Sequence, residues 1–337
     1  MANTGTTTPN ENGHSPSRFR SIRFRTFWLP ILLAFSILAA WVCFRWGTGK
    51  TRLPDGILRV AVCQYDSRPN AFRWNVDHAL RYAKEAASHG ADVIVLPEYS
   101  FCTVADVLRG HAFGEMRRMM RRLGPRLGRF CRRHGCYLFV NIPHESRSRR
   151  AGTETRRTNR TLVYAPDGRV SAAYDKNTLA SLDELCRIQP GEPRPLVDLE
   201  FGRVGLMICK DASYPKNFEH YRGADLIVVQ FGHITDWTAS TDDAPWLVND
   251  MGTAHGDFPC VARLLGSSFR CPAVFANKTG LEPEGVYAGG SCAVAADGSI
   301  VARAGFGGDI LYADFKLDGN GRLLPGTDPV PHVPPAP

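Results

Sequence analysis

The sequence has no CxxC pair and no grouping of cysteines with histidines at zinc-site spacing, although it contains ten cysteines. A structural zinc centre is therefore excluded on spacing, and no cofactor is expected. The cysteines stand singly, at 43, 63, 102, 131, 136, 186, 209, 260, 271 and 292. Scattered cysteines in a large domain are usually small buried apolar side chains, unless their surroundings activate one of them. No internal repeat is visible, which sets aside solenoids and propellers. No charged residue occurs from Phe27 to Phe44, and no Gly, Ala or Ser immediately precedes Cys43, which argues against lipid attachment there.

What is present is ordinary in bulk. The chain of 337 residues is 44% hydrophobic and 22% charged, enough for one large domain with appendages and too unremarkable to name a function. The formal net charge is +8. Much of it sits in three arginine-rich places: the N-terminal tail, the stretch Arg117 to Arg133, and the run Arg147 to Arg160. In the second, Met116, Met119, Met120, Leu123 and Leu127 fall at helical spacing, so its arginines are the wet face of an amphipathic helix rather than a nucleic-acid surface. The third is rich in Ser, Thr and Gly and reads as an exposed loop.

The charge-free run FWLPILLAFSILAAWVCF would span roughly 27 Å as a helix, about the thickness of a hydrocarbon core. Trp28, Trp41 and Trp46 lie near its ends, and arginines precede it while Arg45, Lys50 and Arg52 follow. The organisation expected is a disordered basic tail at 1–26, a transmembrane anchor at 27–44, a linker at 45–56, a catalytic domain at 57–318 and a Pro-rich tail at 319–337. Two other readings of the apolar run exist. It could be a helix buried in a soluble core, or a signal peptide whose cleavage signature, Leu38-Ala39-Ala40, is partial. With an uncleaved anchor, the charge balance points the domain out of the cytoplasm. The other nine cysteines pull against an oxidising compartment.

Between Leu58 and Leu317 strand and helix signals alternate without a long linker, an α/β pattern. Leu58 to Gln64 reads as a strand, and Trp74 to His89 as a helix with Val76, Ala79, Leu80, Ala83, Ala86 and Ala87 on one face. Ala91 to Pro97 is a second strand, apolar enough to be buried on both faces. Further strands are expected at 137–142, 161–164, 204–208, 226–230, 273–276 and 291–295. The six-proline segment Pro325 to Pro337 reads as an extended, exposed terminus.

Three segments carry residues of chemical interest. Val95-Leu-Pro-Glu98 puts a carboxylate just past a buried strand, Tyr174-Asp-Lys176 ends a strand and turn in a lysine, and Gly205-Leu-Met-Ile-Cys209-Lys-Asp211 puts a cysteine between a strand and an expected helix. Reactive groups in α/β proteins gather at the carboxyl ends of strands, and a sharp strand-to-helix turn lifts a nucleophile off its sheet. A thiol needs a base and a nearby positive charge to attack an amide carbon. Glu98 could serve as the base, and Lys176 with the backbone N–H of Lys210 as oxyanion donors. Taken singly, each residue also has an ordinary reading: a solvated glutamate, a surface lysine and a core cysteine.

In this order, and with these local sequences, the chain resembles the nitrilase superfamily of carbon–nitrogen hydrolases. The likeness includes the strand ending in Gln64, the run Gly90 to Glu98, Lys176, the cysteine elbow and Gly223-Ala-Asp-Leu-Ile-Val. It continues through Ala276-Asn277-Lys-Thr-Gly280, Gly289-Gly-Ser291 and Asp297-Gly298. The resemblance implies a four-layer α-β-β-α sandwich, commonly paired into homodimers or larger homo-oligomers, with Glu98, Lys176 and Cys209 as a triad. It implies a second glutamate that positions substrate or lysine, a place taken by Glu184 with Asp183 beside it. Cys209-Lys-Asp211 is similar to the amidase and carbamoylase branches, which implies a small-molecule amide as substrate and no metal. Membrane-embedded N-acyltransferases share such a domain, and a binding module on a retired fold is a third reading. Lys210 and Lys216 place unusual positive charge at the elbow, which favours an anionic substrate, lowers the Cys209 pKa or simply faces solvent. His233, Trp237, Trp246 and His255 could line a substrate rim or could be packing.

Overall fold

The computed structural model describes residues 56–147, 155–192, 195–213, 215–232, 234, 236–237, 268, 270–283 and 285–333, all within one compact unit. The expected tail, anchor and nearly all of the linker lie outside the described residues, as does almost all of the rim at 233–258. Among the described residues no helix is long and apolar enough to cross a membrane.

In chain order the elements begin with β1 (Ile57–Gln64), α1 (Phe72–Ser88), β2 (Val93–Val95), α2 (Val104–Leu108), α3 (His111–His134) and β3 (Tyr137–Arg147). Then come β4 (Thr155–Tyr164), β5 (Val170–Asp175), α4 (Ser181–Leu185), β6 (Leu196–Leu199) and β7 (Gly202–Ile208). Two 3-10 turns, Cys209–Ser213 and Pro215–Tyr221, stand where an α-helix was expected. The remainder is β8 (Leu226–Gln230), β9 (Asp236–Trp237), β10 (Ala273–Ala276), β11 (Thr279–Glu282), β12 (Gly285–Ala288), β13 (Cys292–Val294), β14 (Ile300–Arg303), β15 (Asp309–Lys316) and β16 (Val330–His332).

These strands form a seven-stranded sheet in the order β16-β15-β1-β2-β3-β4-β5 and a six-stranded sheet in the order β14-β13-β10-β8-β7-β6, with β11, β12 and β9 in a small third sheet. Strand alternation explains how the layers close. Leu58, Val60 and Val62 of β1 point inward and pack with Val204, Leu206 and Ile208 of β7 and Val228 of β8. Ala61 and Cys63, on the other face of β1, meet Val76, Ala79, Leu80 and Ala83 of α1 and Met116, Leu123 and Leu127 of α3. The outer face of the second sheet, Ile227, Val229, Ala273 and Phe275, is covered by Tyr221 and Phe218 of the second 3-10 turn. A helical layer and two facing sheets are thus in place, a nitrilase-type α/β fold; among the described residues the outer face of the second sheet is covered by 3-10 turns, and the fourth, helical layer of the expected sandwich is not seen there.

Helix limits follow from local chemistry. Gly90 and Gly135 adopt φ of 77° and 65° behind α1 and α3, a left-handed conformation that ends a helix at little steric cost. Pro125 is tolerated inside α3, whose opposite face carries the arginines expected to be solvated. Two expectations fail. Thr155 to Arg160, read as loop, continues β4 and pairs with Arg147 to Ile142 of β3. Val330 to His332, read as a free tail, pairs with Asp314 to Tyr312 of β15. Pro331 cannot donate to a ladder, and the sheet edge it occupies does not require it to.

The parallel strands decide where chemistry can gather. β1, β2 and β3 run parallel, and β5 regains that direction through two antiparallel steps. Glu98 follows β2, Lys176 follows β5 and Cys209 follows β7, so all three leave the carboxyl ends of their strands.

Candidate active site

Pro97 has no N–H, and the last backbone bond from its strand to β3 is donated by the residue before it, from the Leu96 N–H to the Phe139 carbonyl at 3.0 Å. The chain then turns inward at Glu98, which is almost wholly buried. Its peptide N–H donates to the Phe231 carbonyl at 3.2 Å. One carboxylate oxygen accepts from Asn159 Nδ2 at 2.7 Å and the other from the Gly232 backbone N–H at 2.8 Å. Asn159 is itself oriented, because Asn141 Nδ2 donates to its Oδ1 at 2.8 Å. Asn141 Oδ1 in turn accepts from the Tyr99 N–H at 2.8 Å, where the backbone has a φ of 49°. A side chain at Gly232 would put a Cβ 3.2 Å from the Glu98 carboxylate, so glycine is what lets the backbone N–H approach.

Lys176 is 2% exposed and lies between two carboxylates, with Nζ 2.7 Å from Asp183 and 3.4 Å from Glu98. Burial works against its charge, yet Asp183 and Glu98 outweigh it and hold the ammonium well above the ordinary lysine pKa. Its backbone N–H donates to the Asn159 carbonyl at 2.9 Å, so β4 carries both a partner of Glu98 and an anchor of Lys176. Asp183 is fixed by the Ala180 N–H at 2.8 Å and by the Tyr99 hydroxyl, which donates to it at 3.3 Å. Glu184 does not take the place expected of it. It points to solvent from α4, and Asp183 is the carboxylate on the lysine.

Cys209 closes the group. It keeps some exposure, and its φ of 47° is a conformation that non-glycine residues rarely adopt. Such strain at the end of a buried strand is the backbone geometry that a nucleophile elbow would need. Burial pushes the thiol pKa up; Glu98, Asp183 and Asp211 add to this, and Lys176 pulls against it. Of the readings of the basic elbow, a lowered Cys209 pKa is thus not found. Lys210 follows at the head of the first 3-10 turn and is partly buried.

Several contributors escaped the sequence reading. Asn159, Asn141 and Gly232 stand out only when strands distant in the chain are brought together, while Asp183 was noted only as the neighbour of Glu184. A second buried pair is Lys278 with Glu282, the Lys278 stem approaching Gly232 as Glu98 does: Lys278 Nζ also donates to the Cys102 carbonyl at 3.1 Å, and Glu282 accepts from the Val104 N–H at 3.3 Å. Among the described residues no group of three or more His, Cys, Asp or Glu side chains could hold a metal ion.

A strained cysteine, a buried lysine and a buried carboxylate, each at the carboxyl end of a strand and drawn from both sheets, can be compared with known proteins. The carbon-nitrogen hydrolase family model matches residues 59–322, nearly the whole of the described domain. The chain belongs to the carbon-nitrogen hydrolase family. This carbon-nitrogen hydrolase is 25% identical over 277 residues to a hydrolase of Pseudomonas protegens, covering 79% of this chain and 86% of that one. It is 28% identical over 294 residues to a hydrolase of Mycobacterium tuberculosis, covering 77% and 90%. Among solved structures, the amidase from Nesterenkonia sp. superposes with a TM-score of 0.61 at 23% identity, covering 80% of this chain and 94% of that one. A form of that amidase carries the acetamide moiety of fluoroacetamide on its active-site cysteine, and superposes with a TM-score of 0.60 at 23% identity over 78% and 92% of the two chains. At that identity these superpositions speak for the fold of the carbon-nitrogen hydrolase, whose family rests on the sequence match.

Proposed function

We propose that this carbon–nitrogen hydrolase is an amidase that cleaves a linear amide or an N-carbamoyl compound through an acyl thioester on Cys209. The observation that carries the reading is the buried Lys176 ammonium, set between Glu98 and Asp183 beside a strained cysteine. The resting thiol is protonated, because burial and the carboxylates raise its pKa. Attack therefore needs the proton removed as the S–C bond forms, and Glu98 is the base in reach of that work. Lys176 and the backbone N–H of Lys210 hold the charge that develops on the carbonyl oxygen. Collapse of the tetrahedral intermediate breaks the C–N bond, and Glu98 returns the proton to the leaving amine. Water, deprotonated by the same carboxylate, then attacks the thioester and frees the thiol and the acid.

Asp183 stands closer to Lys176 than Glu98 does, so the ammonium keeps a carboxylate partner while Glu98 carries the proton. The charge-free run at 27–44 supports a membrane anchor on the same chain, with the catalytic domain outside the cytoplasm, and family likeness supports a homodimer. Acyl transfer to an amine is the alternative fate of the same thioester.

Ammonia release from short linear amides and N-carbamoyl amino acids tests the proposal on the full purified chain. Release that disappears in Cys209→Ala is the expected result. Turnover only in the presence of an added amine would make the protein an acyltransferase. Absence of both ammonia and any adduct on Cys209 would favour a binding module.

A further inference from the structure

The elbow and the lysine loop belong to different sheets, and one side chain joins them. Asp211 is buried, two residues past Cys209. Its Oδ2 accepts from the Ile208 N–H at 3.0 Å, immediately before the nucleophile. The same oxygen accepts from the Tyr174 hydroxyl at 2.9 Å, and Oδ1 accepts from the Thr178 N–H at 2.7 Å. Tyr174 and Thr178 stand two residues before and two residues after Lys176. One carboxylate thus grips the second sheet at the root of the elbow and the first sheet on both sides of the lysine.

We propose that Asp211 is a positioning residue that holds Cys209 and Lys176 in register across the two sheets, so that protonating or neutralising it slackens the active site. The proposal rests on the reading of Cys209 as nucleophile and Lys176 as its partner. Three bonds accepted at short range require the ionised carboxylate, since a protonated carboxyl or an amide turns one acceptor into a donor. Donors aimed at Asp211 would then face a donor, and the elbow and lysine loop would be free to part. Misplacement of a reacting group by a fraction of an ångström is enough to slow a reaction.

Burial lifts the Asp211 pKa to about 6, opposed by the N–H groups of Thr178 and Ile208, by Lys176 and by the Tyr174 hydroxyl. The titratable groups facing it are Lys176 and Cys209 on the site side, Tyr174 from the first sheet and Tyr221 from the second 3-10 turn. Lysine and tyrosines keep their protonation between pH 5 and 7, since the first is held charged and the others are pushed above their usual values. Over that window the brace is intact above about pH 6 and lost below it.

The test follows alkylation of Cys209 by iodoacetamide in the full chain, mapped by mass spectrometry between pH 5 and 8. In Asp211→Asn the rate at pH 7.5 should fall about tenfold, the effect of a lost charge-assisted hydrogen bond, and the decline below pH 6 in excess of the tenfold per pH unit that a protonated thiol itself imposes should disappear. Tyr174→Phe removes one bond and keeps the carboxylate. It should slow alkylation roughly two- to threefold and retain the decline. A purely structural role would lower thermal stability without changing the shape of the pH profile. Wild-type rate and profile in Asp211→Asn would overturn the proposal. Should Asp211→Asn not fold, a Tyr174→Phe chain indistinguishable from wild type would overturn it equally. If wild-type Cys209 is not labelled in preference to other cysteines, the nucleophile assignment fails first and takes this proposal with it.

Discussion

Cys209→Ala lowers amide hydrolysis by about four orders of magnitude or more while the protein stays folded. The loss is near total because, among the described residues, the other two groups of the site are committed elsewhere: both Glu98 oxygens accept hydrogen bonds from Asn159 and Gly232, and Lys176 is held as an ammonium between two carboxylates. Stability changes little for a separate reason. Alanine meets the φ of 47° with about the same strain as cysteine, and the thiol is partly exposed, so no large cavity opens. The expected change in folding free energy is of the order of 1 kcal/mol, read by thermal melting beside the activity assay. A Cys209→Ala chain that still hydrolyses amides at a tenth of the wild-type rate would remove cysteine from the mechanism.

Asp183→Asn should reduce kcat by roughly a hundredfold and destabilise the fold by about 3 kcal/mol, because it strips a buried ammonium of its nearest counter-ion. Lys176 would then pair with Glu98 alone, and a carboxylate committed to an ion pair is a poorer base. Glu184→Gln, one residue away and exposed, should leave both quantities within about 0.5 kcal/mol of wild type. The two substitutions each remove one negative charge, so any difference between them measures position. Equal effects, or a larger effect at Glu184, would contradict the arrangement around Lys176.

That contrast also marks how far the sequence could be read. Apolar runs buried on both faces announced β1, β2, β7, β8 and β10, and those strands carry Glu98 and Cys209 at their ends. Chemistry at a strand terminus is legible because the run of apolar residues stops there. Asp183 and Glu184 are different: adjacent residues on a short helix point about 100° apart, and composition gives no hint which one turns inward. The choice is made by the Ala180 N–H and the Tyr99 hydroxyl, which lie on other parts of the chain.

Arginine-rich Thr155 to Arg160 hid a strand for a related reason. Its backbone pairs with β3 whatever its side chains prefer, and Arg160 is neutralised by both oxygens of Asp175 at 2.7 Å on the neighbouring strand. Burial of Asn159 between those charged residues puts an active-site donor in a segment that looks like loop. Val330 to His332 was masked by prolines that suit an edge strand as well as a free tail. Asp211 was visible as part of the cysteine motif, but its three donors come from β5, the lysine loop and β7.

The nucleophile assignment is tested most directly by trapping the acyl-enzyme. Full-length protein is mixed with a hydrolysed amide, quenched in acid within the first turnovers, digested and weighed by mass spectrometry. The expected result is the acyl mass on the peptide containing Cys209, removed by hydroxylamine and absent in Cys209→Ala. An acyl group on any other residue, or continued turnover with no acyl-peptide at any quench time, would contradict the thioester mechanism.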